Sequence, residues 1–381
     1  MTQSNKPWIL RAKTYRSIVV VAVWTLGCTA ALSQDIVVGQ SAPFSGPQAV
    51  SGLAIRAGVN LYLDSVNANG GVHGRRIRLV SKDDEQKPPE TVRLIKEMIA
   101  QDKPVALLCT VSTGNLEALI SDGVLGQNKL SMVGPVSGAA SVVKSPNMFV
   151  VKASYHDEVA RLFKEISSLG QIHVAVLYQE DSFGQDVLAG ADAAAKLYGV
   201  KLEARASYAR NTLAVEKAVA TIVAAKPQVV FVGATTAAAI EFVKQYKAAK
   251  GTGTLYGMSF VDSDAMLKSL GPDDVRGYAF SVVLPLHQQT ERAIVREYQQ
   301  LRVASADKNL SVRSMEGFIA AKTLVKVLES VPNPTPATVT AALMRAKLDL
   351  GDYSVDFTER ERTGSNYVDF AMFGSGGKVV K

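Results

Sequence analysis

The sequence predicts an α/β protein made of two doubly wound lobes. The chain has 381 residues, about twice a common single-domain length. From Asp35 onward, short apolar runs alternate with amphipathic stretches of about 10–15 residues. That alternation runs through one series and then through a second. Strands alternating with helices of this length imply parallel sheets covered on both faces.

In the first series, Ile36-Val37-Val38 reads as a strand. Ile55, Val59, Tyr62, Leu63 and Val66 recur at helical spacing, and Gly70-Gly71 stops that helix. Alternation over 76–80 gives a strand with Ile77 and Leu79 on one face. Pro88-Pro89 opens a helix with Val92, Ile95 and Ile99 inward. Strands are expected over 105–109, 130–133 and 148–151, with a helix around Leu116, Leu119 and Ile120. The second series places helices at 156–168, 184–198, 213–225 and 237–249. Strands fall between them at 174–178, 202–208, 229–232 and 255–260, and 278–283 closes the series. Helices follow near 290–303, 312–328 and 336–346, then strands at 353–357 and 367–373. Such a tail is expected if the chain returns to the first lobe and finishes on the second.

Composition sets the class. The chain is 47% hydrophobic and 20% charged, enough for a sizeable core and wrong for a disordered chain. No apolar run reaches the length of a membrane span. Residues 1–33 read as a secretory signal peptide, which sends the protein to the periplasm. Lys6, Arg11, Lys13 and Arg16 form its basic region, 18–26 its apolar stretch, and Ala31-Leu32-Ser33 its small-residue cleavage site. Thr25-Leu26-Gly27-Cys28 loosely resembles a lipoprotein box. Lipid anchoring at Cys28 is the less favoured route, because Thr25 stands where an apolar residue is usual. The leader holds four basic residues and no acidic one, so much of the formal +7 charge leaves with it. No basic run with interleaved aromatics suggests nucleic acid as a partner. Cys109 then stands alone beside the apolar run 105–108 and reads as a small buried hydrophobe.

In open parallel sheets, ligands sit beyond the carboxyl ends of the strands. That rule selects the loops 41–47, 110–114, 134–138, 180–184, 233–236 and 258–263, which are rich in Ser, Thr and Gly. Any one of them reads equally well as helix capping. Together they read as the lining of a cleft that hydrogen-bonds a polar solute, with helix N-termini available to a carboxylate.

These loops also carry a family resemblance. The run Ser41-Ala42-Pro43-Phe44-Ser45-Gly46-Pro47 resembles the opening loop of the leucine/isoleucine/valine-binding protein family. These are the type I periplasmic binding proteins of branched-chain amino acid ABC transporters. The run from Asn67 to Ile77, with Gly70-Gly71-Val72-His73-Gly74-Arg75, is similar to that family's helix end and turn and is the most specific part. Asp83-Asp84, Val111-Ser112-Thr113-Gly114, Gly134-Pro135-Val136-Ser137-Gly138 and Asp181-Ser182-Phe183-Gly184 stand where further family motifs lie.

The resemblance implies two Rossmann-like lobes joined by three crossovers, near Ala153, Leu284 and Gly351. The first lobe would be 35–153 with 285–350, the second 154–284 with 351–381. It also implies a ligand site. Thr113, with Gly114, stands where a hydroxyl takes a ligand carboxylate, and Val136, Ser137 and Gly138 form the next contact loop. Phe183 stands at an aromatic that packs on ligand, Ser51 near the mouth, and Thr235 where Tyr is frequent. Tyr155, beside the first crossover, reads either as a ligand contact or as a helix-start residue packed on the hinge. Ser259 departs from the pattern, because amino-acid-binding members often place a Glu there for the ligand ammonium. Asp262 or Asp264 would supply that charge if their loop folds inward, and both read equally as helix caps. The family disulfide is absent, with Gln86 and Ser112 at its positions. The ligand class thus stays open among amino acid, amide and carboxylate.

Catalytic patterns are not found. His73, His156, His173 and His287 lack metal-ligand spacing, and Asp83-Asp84-Glu85 reads as turn chemistry rather than a metal site. Gly251, Gly253 and Gly257 lack the strand–turn–helix context of a dinucleotide fingerprint. The expectation is a monomeric, non-enzymatic solute-binding protein, without cofactor or metal, that closes on a small molecule and docks on ABC permease subunits. The alternatives are a sensing module for a chemoreceptor or kinase, and an exported α/β enzyme.

Overall fold

The computed structural model describes residues 1–4, 34–359 and 363–381. The expected export segment, with Cys28, lies outside the described residues beyond its first four.

The first series folds as β1 (Ile36–Ala42), α1 (Ala49–Ala68), β2 (Ile77–Asp83), α2 (Pro88–Gln101), β3 (Ala106–Leu108) and α3 (Thr113–Asp122). Next come α4 (Val124–Gln127), β4 (Met132–Val133), α5 (Ala140–Val143) and β5 (Met148–Phe149). All strands run parallel in the order β2-β1-β3-β4-β5. Ile36, Val38, Leu107 and Leu108 are fully buried, as strands covered on both faces require.

The second series folds as α6 (Tyr155–Ser168), β6 (His173–Glu180), α7 (Ser182–Tyr198), β7 (Lys201–Ala209), α8 (Glu216–Ala225) and β8 (Val229–Gly233). It continues through α9 (Thr236–Ala248), β9 (Thr254–Gly257), α10 (Ser263–Leu270), α11 (Pro272–Val275) and β10 (Ala279–Val282). The tail gives α12 (Ala293–Ala304), α13 (Ser314–Glu329), α14 (Pro336–Leu343), β11 (Lys347–Asp349), β12 (Ser354–Asp356), β13 (Asp369–Phe373) and β14 (Val379–Val380).

The second sheet has the order β14-β13-β10-β9-β8-β6-β7. It departs from the all-parallel expectation: β13 pairs antiparallel with β10, and β14 antiparallel with β13. The reason is the path. The chain leaves β10 and later returns from the same end, so the returning strand must run the other way. The strand expected over 353–357 also behaves differently. β12 pairs with β11 as a separate two-stranded sheet. Val355 and Phe357 pack in the first core, with Phe357 edge-on to Phe149 at 5.2 Å.

Three segments pass between the sheets, and one hydroxyl ties them. Tyr353, on the last of them, donates to the carbonyls of Val151 at 2.7 Å and Val283 at 3.3 Å. At the first passage Ser154 caps α6, its hydroxyl accepting from the Asp157 N–H while Asp157 accepts from the Ser154 N–H. This capping box fixes Tyr155 at the first turn.

The tail helices return to the first sheet, where α13 crosses α1 backbone to backbone. A Cβ on Gly58 would lie 1.8 Å from the Ser314 carbonyl oxygen, and one on Gly317 would lie 2.0 Å from that of Ile55. Two reciprocal glycines thus let the helices meet, and neither opposing atom is a side chain able to turn away. Gly58→Ala or Gly317→Ala should each cost about 3 kcal/mol or more, the upper end of overpacking costs. Gly126→Ala, whose nearest neighbour is 3.7 Å away, should stay within about 0.5 kcal/mol. Urea unfolding of the three variants checks this.

Candidate functional site

Strand order locates a crevice in each sheet. In the first, β1 is followed by β2 on one side and flanked by β3 on the other; in the second, β6 lies likewise between β7 and β8. The loops leaving these strands diverge and open a gap at their carboxyl ends. One cavity lies between the two gaps, enclosing about 450 Å³ of non-atom space that is partly open to solvent. Ser51, Thr113, Val136, Tyr155, Phe183 and Thr235, all expected from sequence, line it.

The other expected residues stand behind the wall. Ser137 is fully buried and bonds the Thr113 hydroxyl at 2.9 Å, so it orients a lining side chain. Gly138 accepts from the Tyr155 N–H at 2.9 Å. Gly114 packs under Arg210, whose nearest nitrogen would lie 3.0 Å from an added Cβ. Ser259 lines a neighbouring cavity, and its N–H donates to Glu158 and to the Ser281 hydroxyl. Asp262 caps α10 by accepting from the Ala265 N–H, and also accepts from the Ser311 hydroxyl. Asp264 accepts from the Val312 N–H. Neither aspartate lines the cavity.

Sequence reasoning missed Gln48, Gln86, Gln179 and Arg313 as lining residues, whereas Val111, Ser112, Thr236 and Phe260 lie in loops it selected without being named as contacts. Gln86 is placed by Asp84. The Asp84 carboxylate accepts from the Gln86 N–H at 2.9 Å and from the hydroxyls of Ser41 at 3.0 Å and Thr91 at 2.8 Å. This is the turn chemistry expected of the acidic cluster. Burial nevertheless pushes the Asp84 carboxyl above its ordinary value. Gln179 is held by the Tyr208 hydroxyl, which donates to it and accepts from the Thr235 N–H, each at 3.0 Å.

An aromatic triangle forms the apolar wall. Tyr155–Phe183, Tyr155–Phe260 and Phe183–Phe260 meet edge to face at 5.5, 5.8 and 4.8 Å. Phe183 reaches it because Gly184 lets α7 start directly over β6; a Cβ there would sit 1.9 Å from the Gln179 carbonyl oxygen. Tyr155 thus both starts a helix and lines the cavity.

Arg313 is the charged lining residue. It is 5% exposed, pairs with Glu316 at 2.6 Å and donates to the Ser259 carbonyl at 3.3 Å. Glu316 also holds Lys152, on the first passage between sheets, at 2.7 Å. Burial pushes Glu316 up, but Arg313 and Lys152 together outweigh it and hold the carboxyl below its ordinary value. Glu158 is raised by burial, against the pull of Lys152 and the Ser281 hydroxyl. A carboxyl raised on folding keeps a proton that the unfolded chain has already lost. Its contribution to stability therefore falls as pH rises from the ordinary carboxylate range through its raised value. Stability measured by urea unfolding between pH 4 and 8 should decline less steeply with pH in Glu158→Gln than in the parent.

The whole described body matches known proteins. A family model for periplasmic binding proteins fits residues 35–378. A Leu/Ile/Val-binding protein homolog from Brucella suis biovar 1 is 23% identical over 352 residues, 87% of this chain and 86% of that one. A substrate-binding periplasmic protein from Ralstonia solanacearum superposes with a TM-score of 0.88 at 42% identity, covering 91% of this chain and 99% of that one. A branched-chain amino acid ABC transporter protein from Thermus thermophilus, solved with valine, shares the fold at a TM-score of 0.81 and 19% identity, covering 91% and 95%. The chain belongs to the periplasmic binding protein family, in its Leu/Ile/Val-binding group, whose members are solute-binding proteins rather than enzymes.

Proposed function

We propose that this protein captures a small polar metabolite in the Tyr155–Arg313 cavity by hinge closure and delivers it to the membrane subunits of an ABC importer. The observation that carries the reading is the cavity itself, whose lining is drawn from loops of both sheets. A site divided in this way binds fully only when the halves meet, so ligand shifts the population toward the closed form. The lobes we propose are 35–153 with 285–350, and 154–284 with 351–381; the packing of Val355 and Phe357 against the first core favours counting 351–357 with the first lobe instead. The protein acts as a monomer, exported by the leader expected over 1–33. Calorimetric titration with small carboxylates, amines and amides should give saturable one-to-one binding, with a smaller radius of gyration in X-ray scattering. No saturable binding to any of them would sink the reading.

Arg210 supplies a contact across the gap. From the end of β7 it reaches the Gln86 carbonyl at 2.9 Å and the Asn115 side-chain oxygen at 2.8 Å, both on the first-sheet side. Only the closed form makes these bonds, so they favour it without touching ligand. Arg210→Ala should weaken apparent affinity about tenfold, equivalent to about 1.4 kcal/mol, with little change in the unfolding midpoint of ligand-free protein. Calorimetry paired with thermal unfolding reads both quantities.

A further inference from the structure

The charge of the cavity restricts what it accepts. Among the described lining residues, Arg313 is the one with a formal charge, and none is acidic. Arg313 also serves as a strut between Glu316 and the Ser259 carbonyl, but that role leaves part of it unused. Its buried Nε has no hydrogen-bond partner. Lys152 and Arg313 both draw on the single carboxylate of Glu316, which leaves an excess of positive charge at this end. The nearby Glu158 is turned away from the cavity, accepting from the Ser259 N–H and the Ser281 hydroxyl, and neither it nor Asp262 lines the cavity. Asp262 is further committed to Ser311 and the Ala265 N–H, away from the lining.

At the other end, α3 begins at Thr113 with no side-chain cap, and Ser112 and Thr113 line the same cavity. Free N–H groups at a helix start also favour oxygen acceptors. An ammonium placed here would lose its water, meet Arg313 and find no carboxylate, the costliest arrangement for a buried charge. Three aromatic rings form an apolar wall, beside the side-chain amides of Gln48, Gln86 and Gln179.

We propose that the ligand is a small organic carboxylate without an amino group, which presents an oxygen acceptor to Arg313 and rests an apolar body on Tyr155, Phe183 and Phe260. The inference builds on the solute-binding reading and names the substrate class of that same cavity. Arg313 is thereby the residue that selects against amino acids, the reverse of what the resemblance implies for a Glu at the position of Ser259.

Matched triplets test it. 3-Phenylpropanoate, phenylalanine and 3-phenylpropanamide share one body, and 4-methylpentanoate, leucine and 4-methylpentanamide share another. Calorimetry on the parent should rank each carboxylate above its amino acid and amide, on the order of 10-fold or more. Arg313→Gln should bring carboxylate and amide to within about threefold, and Arg313→Lys should keep part of the preference. Leucine or phenylalanine binding more tightly than the matching carboxylate would overturn the substrate class and leave solute binding intact, whether or not the variants fold. An unchanged carboxylate preference in folded Arg313→Gln would overturn the role of Arg313. Failure of every carboxylate, amine and amide to bind the parent would overturn the solute-binding reading and this inference together.

Discussion

Glu316 is the point on which the cleft depends. Its carboxylate lies 1% exposed between Lys152 and Arg313. A buried carboxylate with one cation barely offsets the cost of leaving water; with two, it remains ionised and rigid. The geometry also joins three parts of the chain. Lys152 lies on the first passage between the sheets, Glu316 on α13, and Arg313 at the helix start facing the cavity. Helix α13 is itself held against α1 by the reciprocal glycines. Arg313 is therefore a fixed charge on a fixed helix, although it comes from a distant segment.

The sequence made one part of this visible and hid another. The β1, β3, β6 and β8 loops were legible because the parallel-sheet pattern determines where strands end, and ligand loops follow strand ends. That rule selected the loops that hold Thr113, Phe183 and Thr235, and the family resemblance singled out those residues within them. Arg313 was not, because it stands just before a tail helix, and nothing local shows which face of that helix meets the cleft. Gln86 was hidden for another reason: its position follows from the Asp84 turn, where Glu85 and Gln86 both take left-handed backbone conformations. Phe260 was read as the end of a strand, yet β9 stops at Gly257 and the loop turns its ring inward.

Other differences arise from path rather than pattern. Residues 367–373 alternate like any strand, and periodicity alone is silent on direction. Only the return of the chain from the cleft end sets β13 antiparallel. The hairpin of β11 and β12 was half seen, because Lys347–Asp349 is short and largely exposed and so lacks an apolar signature.

Closure and selectivity draw on different residues. Arg210–Asn115 and Asp262–Ser311 connect the halves without lining the cavity, so under the proposed hinge mechanism they bear on closure. Arg313 and the aromatic triangle line it, so under the same proposal they bear on what it accepts. Asp262 belongs to the first group for a physical reason. Its carboxylate is fully buried and satisfied by Ser311 and the Ala265 N–H, and turning it toward a ligand would break both bonds at once. An acidic residue close to the expected ammonium position therefore does not make an ammonium site. Among the described residues, the charge that lines the cavity is Arg313, and its buried Nε is without a hydrogen-bond partner.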